Sequence, residues 1–181
     1  MKKINEIFYS LQGEGFYTGT PAVFVRFSGC NLRCAFCDTR HEEGSMMSDR
    51  AILREVMKHP AKMVILTGGE PGLWVDENLV EQLHALGKYV CIETNGMYAL
   101  PANIDWVTCS PKREGELRLK RMDEVKVVYL GQDVSIYLQL PAKHFFLQPC
   151  SGKNTVEVLG YILKHPDWRL SLQLHKLLNI R

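Results

Sequence analysis

The 181 residues predict an α/β fold: an incomplete, open (β/α) barrel with some of its helices missing. Three observations carry this. Short, nearly continuous apolar or β-branched runs recur along the chain, as expected for parallel strands covered on both faces. Amphipathic helical patterns separate several of these runs, which implies right-handed βαβ units. Between Cys91 and Tyr129, however, strand-like runs follow one another without a helix of ordinary length, so a closed eightfold barrel lacks both strands and helices.

In chain order, Val23 to Phe27 is the first expected strand. Ser48 then caps a helix running to about Lys58, where Pro60 prevents continuation. Met63 to Leu66 gives the next strand. Asp76 opens a second helix with Leu79, Val80, Leu83 and Leu86 on one stripe and Gly87 at its end. Strands follow at Tyr89 to Ile92, Trp106 to Cys109, Val125 to Tyr129 and Phe145 to Leu147. A third helix runs from about Asn154 to Lys164, with Val156, Leu159 and Leu163 facing inward and Pro166 beyond; Leu170 to Leu174 is the last strand. No repeat, low-complexity tract or long linker interrupts the chain, so residues 1–181 are expected to form one domain.

Composition narrows the function. With 46% hydrophobic residues, 23% charged and a net charge of +2, the chain can bury a full core and carries no basic stripe to track phosphates. Direct nucleic-acid binding is not expected. The start, MKKINEIFYSLQGEG, breaks its apolar run too early for an export signal, and no stretch approaches the roughly 20 apolar residues of a membrane span. A cytoplasmic protein is expected. Three of the six cysteines lie within eight residues, a spacing that suits metal ligation better than a disulfide framework.

The unusual residues fall in the segments that leave the expected strand ends, where sites of such folds form. Cys30, Cys34 and Cys37 close three thiolates around one point, enough for three irons of a 4Fe-4S cubane, with no fourth cysteine nearby. The remaining iron is then free to chelate the amino and carboxylate groups of S-adenosylmethionine. Zinc competes, because His41 follows Cys37 at a spacing that completes a Cys3His set. Phe36 lies inside the loop, where an aromatic ring can shield a cluster or stack on adenine.

In TGGEP, Gly68 and Gly69 let backbone approach a ligand and Glu70 is available to an ammonium, although a tight turn is the plainer reading. In ETNG, Glu93 can accept from ribose hydroxyls, or the segment simply turns the chain. Gln12 and Glu14 in QGEG can read the edge of a heterocycle. Arg26 interrupts the apolar run VFVRF, where an unpaired guanidinium is costly; a ligand carboxylate or a structural partner such as Glu14 satisfies it. Cys91, Cys109 and Cys150, taken alone, read as small core residues. His59, His84, His144 and His165 read as surface or interface residues of helices and turns. His175 differs, because it follows the last expected strand and points into the site.

In this order, CNLRCAFC and TGGEP resemble the radical S-adenosylmethionine superfamily. FYSLQGEG, VRFSGCNLRCAFCDT, ETNG, SPK, QP and LSLQLHKLLNIR extend the resemblance, over nearly the whole chain, to the 7-carboxy-7-deazaguanine synthase family. The resemblance implies that Cys30, Cys34 and Cys37 ligate the 4Fe-4S cluster and that the Thr39 hydroxyl binds Mg2+, a hard cation suited to oxygen. It implies S-adenosylmethionine contacts at Phe36, Cys37, Asp38, Gly69, Glu70, Glu93, Ser110, Pro111, Lys112, Gln148, Pro149, Cys150 and Ser151. Substrate contacts are implied at Leu11, Gln12, Gly13, Glu14, Arg26, Thr67, His175 and Arg181.

The implied substrate is 6-carboxy-5,6,7,8-tetrahydropterin, whose carboxylate answers the charge of Arg26. The implied reaction is a radical ring contraction, with loss of ammonia, to 7-carboxy-7-deazaguanine on the route to queuosine. A flavodoxin or ferredoxin as electron donor and a homodimeric state are implied too. Gly72, Ser151 and Leu174 depart from the family's usual residues there. The competing functions are a glycyl-radical-enzyme activase, which shares the cluster motif, and a zinc-binding or electron-transfer module.

Overall fold

The computed structural model describes residues 1–112 and 116–181. A single twisted sheet organises them. Strands β1 (Lys2–Leu11), β2 (Pro21–Phe27), β3 (Ser45–Met47), β4 (Met63–Gly68), β5 (Tyr89–Thr94), β6 (Trp106–Cys109), β7 (Glu124–Tyr129), β8 (His144–Pro149) and β9 (Arg169–Leu170) lie in the spatial order 3-1-2-4-5-6-7-8-9. From β2 to β9 every neighbouring pair is parallel. At the other edge β1 runs antiparallel to both β2 and β3. The sheet is not closed, as expected for an incomplete barrel.

Helices α1 (Asp49–Met57), α2 (Glu77–Ala85) and α3 (Thr155–Ile162) cover the outer face; α4 (Leu174–Leu178) follows β9. The first two begin as the sequence indicates. The Ser48 hydroxyl accepts from the Ala51 amide at 3.3 Å, and the Asp76 carboxylate from the Leu79 amide at 2.9 Å, each satisfying a donor the helix start leaves orphaned. Buried Lys2 ties the two helices together, donating to Asp49 and Asp76 at 2.8 Å each.

Strand alternation divides the core. Val23, Val25, Phe27, Val64, Leu66, Val90 and Ile92 pack against Ile52, Val56, Leu79, Val80 and Leu83 of the helices. The opposite parity, Ala22, Phe24, Met63, Ile65 and Cys91, joins Phe8 on the inner face. Continuing that parity toward the C-terminal strand ends gives Arg26, Thr67 and Glu93, so one rule of strand geometry leads from apolar floor to polar site.

Several expectations need correction. The strand β1 was not anticipated; its register slips between Ile4 and Glu6, and such a bulge breaks the alternation that announces a strand. The short edge strand β3 was also not anticipated. The last expected strand shrinks to Arg169–Leu170, and Leu174 begins α4, because Ser171 and Gln173 turn their side chains to the inner loops. In α3, Val158 is the buried residue, while Val156 and Leu163 are 84% and 85% exposed. Tyr161 and Ile162 complete its inward face. His144 likewise starts β8 rather than sitting in a helix or turn, with its ring against Phe16 and Trp106.

Candidate active site

The C-terminal strand ends open into a cavity of about 550 Å³. Its wall begins with the loop after β2. Cys30, Cys34 and Cys37 are free thiols on that loop and all three line the cavity. The Leu32 amide points at Cys30 Sγ from 3.4 Å, while burial pushes the Cys30 thiol above its ordinary pKa. Three thiols in one short loop suit the sulfur-loving iron of an Fe-S cluster. His41 is not among the lining residues. Its carbonyl instead accepts from the Gly29 amide at 2.7 Å and its side chain packs under Gly69. A Cys3His zinc set therefore draws no support from this arrangement.

The end of β4 presses against the same loop. A Cβ at Gly69 would fall 2.0 Å from the Gly29 carbonyl, and Gly68, at φ +124°, passes nearly as close to the Phe27 backbone. Only glycine allows this contact. Glu70 departs from expectation: it is fully buried and is not among the lining residues. Its carboxylate accepts from Thr94 Oγ1 at 2.7 Å and from the Gly72 and Asn95 amides at 2.8 Å each. Burial raises its pKa, and these donors work against the rise. Glu70 thus holds the ends of β4 and β5 together.

Ser110 and Lys112 line the cavity, whereas Pro111 between them is buried outside the lining. Lys112 lies 5.5 Å from the centre of the Phe36 ring, and burial lowers its pKa. Gln148, Pro149, Cys150 and Ser151 contribute the wall after β8. Cys150 is half-buried there, unlike the core residues Cys91 and Cys109. Asp38 points to α4: Lys176 donates to it at 2.6 Å and Gln173 at 3.2 Å. Burial opposes the charge of Asp38, yet these two donors keep its pKa below the ordinary value.

Across the cavity lie Leu11, Gln12, Gly13, Glu14, Arg26, Thr67, Glu93, His175 and Arg181. Arg26 is paired with Glu6, not Glu14. The two face each other in the β1–β2 register, with Arg26 Nε donating to Glu6 Oε1 at 3.0 Å. Arg26 Nη1 also donates to the Thr39 hydroxyl at 3.3 Å. Arg181 reaches the other oxygen of Glu6 at 2.7 Å, and both guanidinium groups lie 5.5 Å from the Phe8 ring centre. His175 packs directly on Gly13, where a Cβ would come within 2.4 Å of its Nδ1.

Glu93 does not stand with the residues expected around S-adenosylmethionine. It accepts from Thr67 Oγ1 at 2.9 Å, Gln12 Nε2 at 3.1 Å and Lys126 Nζ at 3.1 Å. Lys126, which sequence reasoning missed, also donates to Glu14 at 2.6 Å. Burial alone would raise the Glu93 pKa; the Lys126 charge and the three hydrogen bonds outweigh it and bring it below its ordinary value. Burial likewise disfavours the Lys126 cation, but Glu14, Glu93 and Glu124 together raise its pKa. Glu6, Gln173 and Lys176 were also missed.

Comparisons with known proteins identify the family. The family model described as the Radical SAM superfamily matches residues 24–158. The 7-carboxy-7-deazaguanine synthase of Bacteroides thetaiotaomicron is 67% identical over 181 residues, the full length of both chains. The enzyme of the same name from Bordetella pertussis is 40% identical, covering 98% of each chain. The crystal structure of QueE from Escherichia coli superposes with a TM-score of 0.79 at 30% identity, covering 96% of this chain and 94% of that one. The chain belongs to the radical SAM superfamily and, within it, to the 7-carboxy-7-deazaguanine synthase family.

Proposed function

We propose that this protein converts 6-carboxy-5,6,7,8-tetrahydropterin to 7-carboxy-7-deazaguanine with release of ammonia, in the route to queuosine. Membership gives the chain the cofactors of its superfamily, a 4Fe-4S cluster and S-adenosylmethionine. When bound, the cluster supplies the electron that breaks a carbon-sulfur bond of S-adenosylmethionine. The observation that carries the substrate assignment is the shared cavity. Arg26, Arg181, Gln12, Glu14 and Thr67 line the same space as Cys30, Cys34 and Cys37.

The chain's own residues then divide the work. Arg26 and Arg181, which share the Glu6 carboxylate, flank the place where the substrate carboxylate sits, Arg26 as its bidentate partner and Arg181 through its side chain or its main-chain carboxylate. Gln12, Glu14, Glu93 and Thr67 meet the heterocycle, and His175 with α4 shields it from water. Phe36, Asp38, Gly69, Ser110, Lys112 and the 148–151 segment hold S-adenosylmethionine on the other side. Thr39 offers its hydroxyl to Mg2+, but a lone hydroxyl 3.3 Å from a guanidinium is a poor cation seat. Mg2+ fits there only with a substrate carboxylate to balance the charge.

A homodimer, an electron donor of the flavodoxin or ferredoxin type and a cytoplasmic setting that keeps the thiols reduced complete the proposal. No helix among the described residues is long and apolar enough to cross a membrane. The test is anaerobic reconstitution followed by addition of reductant, S-adenosylmethionine and the tetrahydropterin. Brown protein with about four irons per chain and a deazapurine product is the expected result. S-adenosylmethionine cleavage without that product would reject the substrate and favour an activase; colourless protein with one zinc would reject the cluster.

A further inference from the structure

Lys126 lies in the middle of β7 and is 5% exposed. No part of the family resemblance assigns it a role. Yet it is the cation that joins two acidic groups from distant parts of the chain. Glu14 comes from the loop after β1, 112 residues away, and Glu93 from the end of β5, 33 residues away. Both carboxylates line the cavity and so does Lys126. Around them, Gln12 and Thr67 complete the bonding of Glu93, and Gln173 donates to the second oxygen of Glu14 at 2.9 Å.

Two carboxylates that share one buried ammonium group repel each other once that cation is removed. An ionised carboxylate is purely an acceptor, whereas a protonated one spends an oxygen as an O–H donor. The pyrimidinone edge of a pterin offers N–H donors and requires such acceptors. We propose that Lys126 is a positioning residue that holds Glu14 and Glu93 together and ionised, so that the pair accepts the ring N–H groups of the substrate. The inference rests on the function proposed above and deepens it. Lys126 does not touch the reacting carbon; it acts through the two glutamates.

The test uses the reconstituted full-length enzyme with Lys126→Met and Lys126→Arg. In Lys126→Met the KM for the tetrahydropterin should rise at least about 10-fold, a loss of ~1.4 kcal/mol of binding, while the KM for S-adenosylmethionine changes less than about twofold. Without the cation, the acid limb of kcat/KM should move up by about one pH unit or more. Glu93 and Glu14 face Lys126, and among the described residues Glu124 and Lys112 are its other charged neighbours. Lys126→Arg restores the charge on a differently shaped donor, so it should return the acid limb to its wild-type position while recovering only part of the KM.

An unchanged substrate KM and acid limb in Lys126→Met would overturn the proposal. So would equal rises in both KM values with no recovery in Lys126→Arg, the signature of a general packing defect. If Lys126→Met does not fold, Lys126→Gln keeps hydrogen-bond donors without the charge; the same shifted limb supports the proposal and an unmoved limb overturns it. Wild-type protein that makes no deazapurine defeats the functional assignment and this inference with it. Wild-type turnover with indifferent variants defeats only the role of Lys126.

Discussion

Glu124 sits beneath the QGEG loop, where its carboxylate accepts from the Phe16 amide at 2.9 Å. Burial pushes its pKa from an ordinary 4.5 to about 7, against the pull of Lys126 and the amide. A folded acid with a raised pKa holds its proton more tightly than the unfolded chain does. Its contribution to stability is therefore complete below pH 4.5 and is lost as pH rises toward 7, at about 1.4 kcal/mol for each pH unit crossed. Glu124→Gln removes this slope. In thermal melts the difference in Tm between the glutamine variant and wild type should grow in the variant's favour by on the order of 5 °C between about pH 5 and pH 8.

Side chains such as this show where sequence reasoning reaches its limit. Arg26 stood out because a charge inside an apolar strand needs a partner, and Lys126 within EVKVVY satisfies the same criterion. The criterion says that a partner exists, not which one. A ligand carboxylate or a partner such as Glu14 was open for Arg26, but Glu6 faces it across the β1–β2 register and Glu14 goes to Lys126. Glu70 and Glu93 were both expected around S-adenosylmethionine, but Glu93 lies within β5 and faces the cavity, whereas Glu70 lies two residues past the end of β4 and caps the turn there.

Among elements, the helix caps and central strands were legible because Ser48, Asp76 and the β-branched runs are local signals. α3 was misread because its sequence is apolar on more than one side, so periodicity alone could not choose the buried stripe. Val158, fully buried, now identifies it. Val158→Ala should cost about 1–3 kcal/mol in chemical denaturation, whereas Leu163→Gln should change the chain's intrinsic stability by less than about 0.5 kcal/mol. Equal losses at both positions would return the helix to the orientation first expected.

For the whole molecule, the open parallel sheet and the location of the site at its C-terminal strand ends followed from the order of elements. The antiparallel edge and the role of α4 did not, since both depend on contacts between distant segments. α4 buries none of its own residues, yet Lys176 bridges Asp38 and Ser151, and the Leu174 amide donates to the Gly13 carbonyl at 2.9 Å. Removing residues 174–181 should lower Tm by only a few degrees, as two partly exposed ion pairs, Lys176–Asp38 and Arg181–Glu6, are lost. Product formation should nevertheless fall by roughly 100-fold, because the ligands lose the wall that orients them. Melts and product assays on the shortened chain check the two halves of this prediction.

The meeting of Glu6 and Arg181, 175 residues apart, also sets a timetable. Synthesis delivers β1 early and α4 late, separated at usual translation speeds by about 10 to 35 s. During that interval the cysteine loop and the glycine-rich end of β4 have already emerged and can pack together. Until that late pairing forms, the cavity lined by the three thiols stands open on the side that α4 afterwards covers.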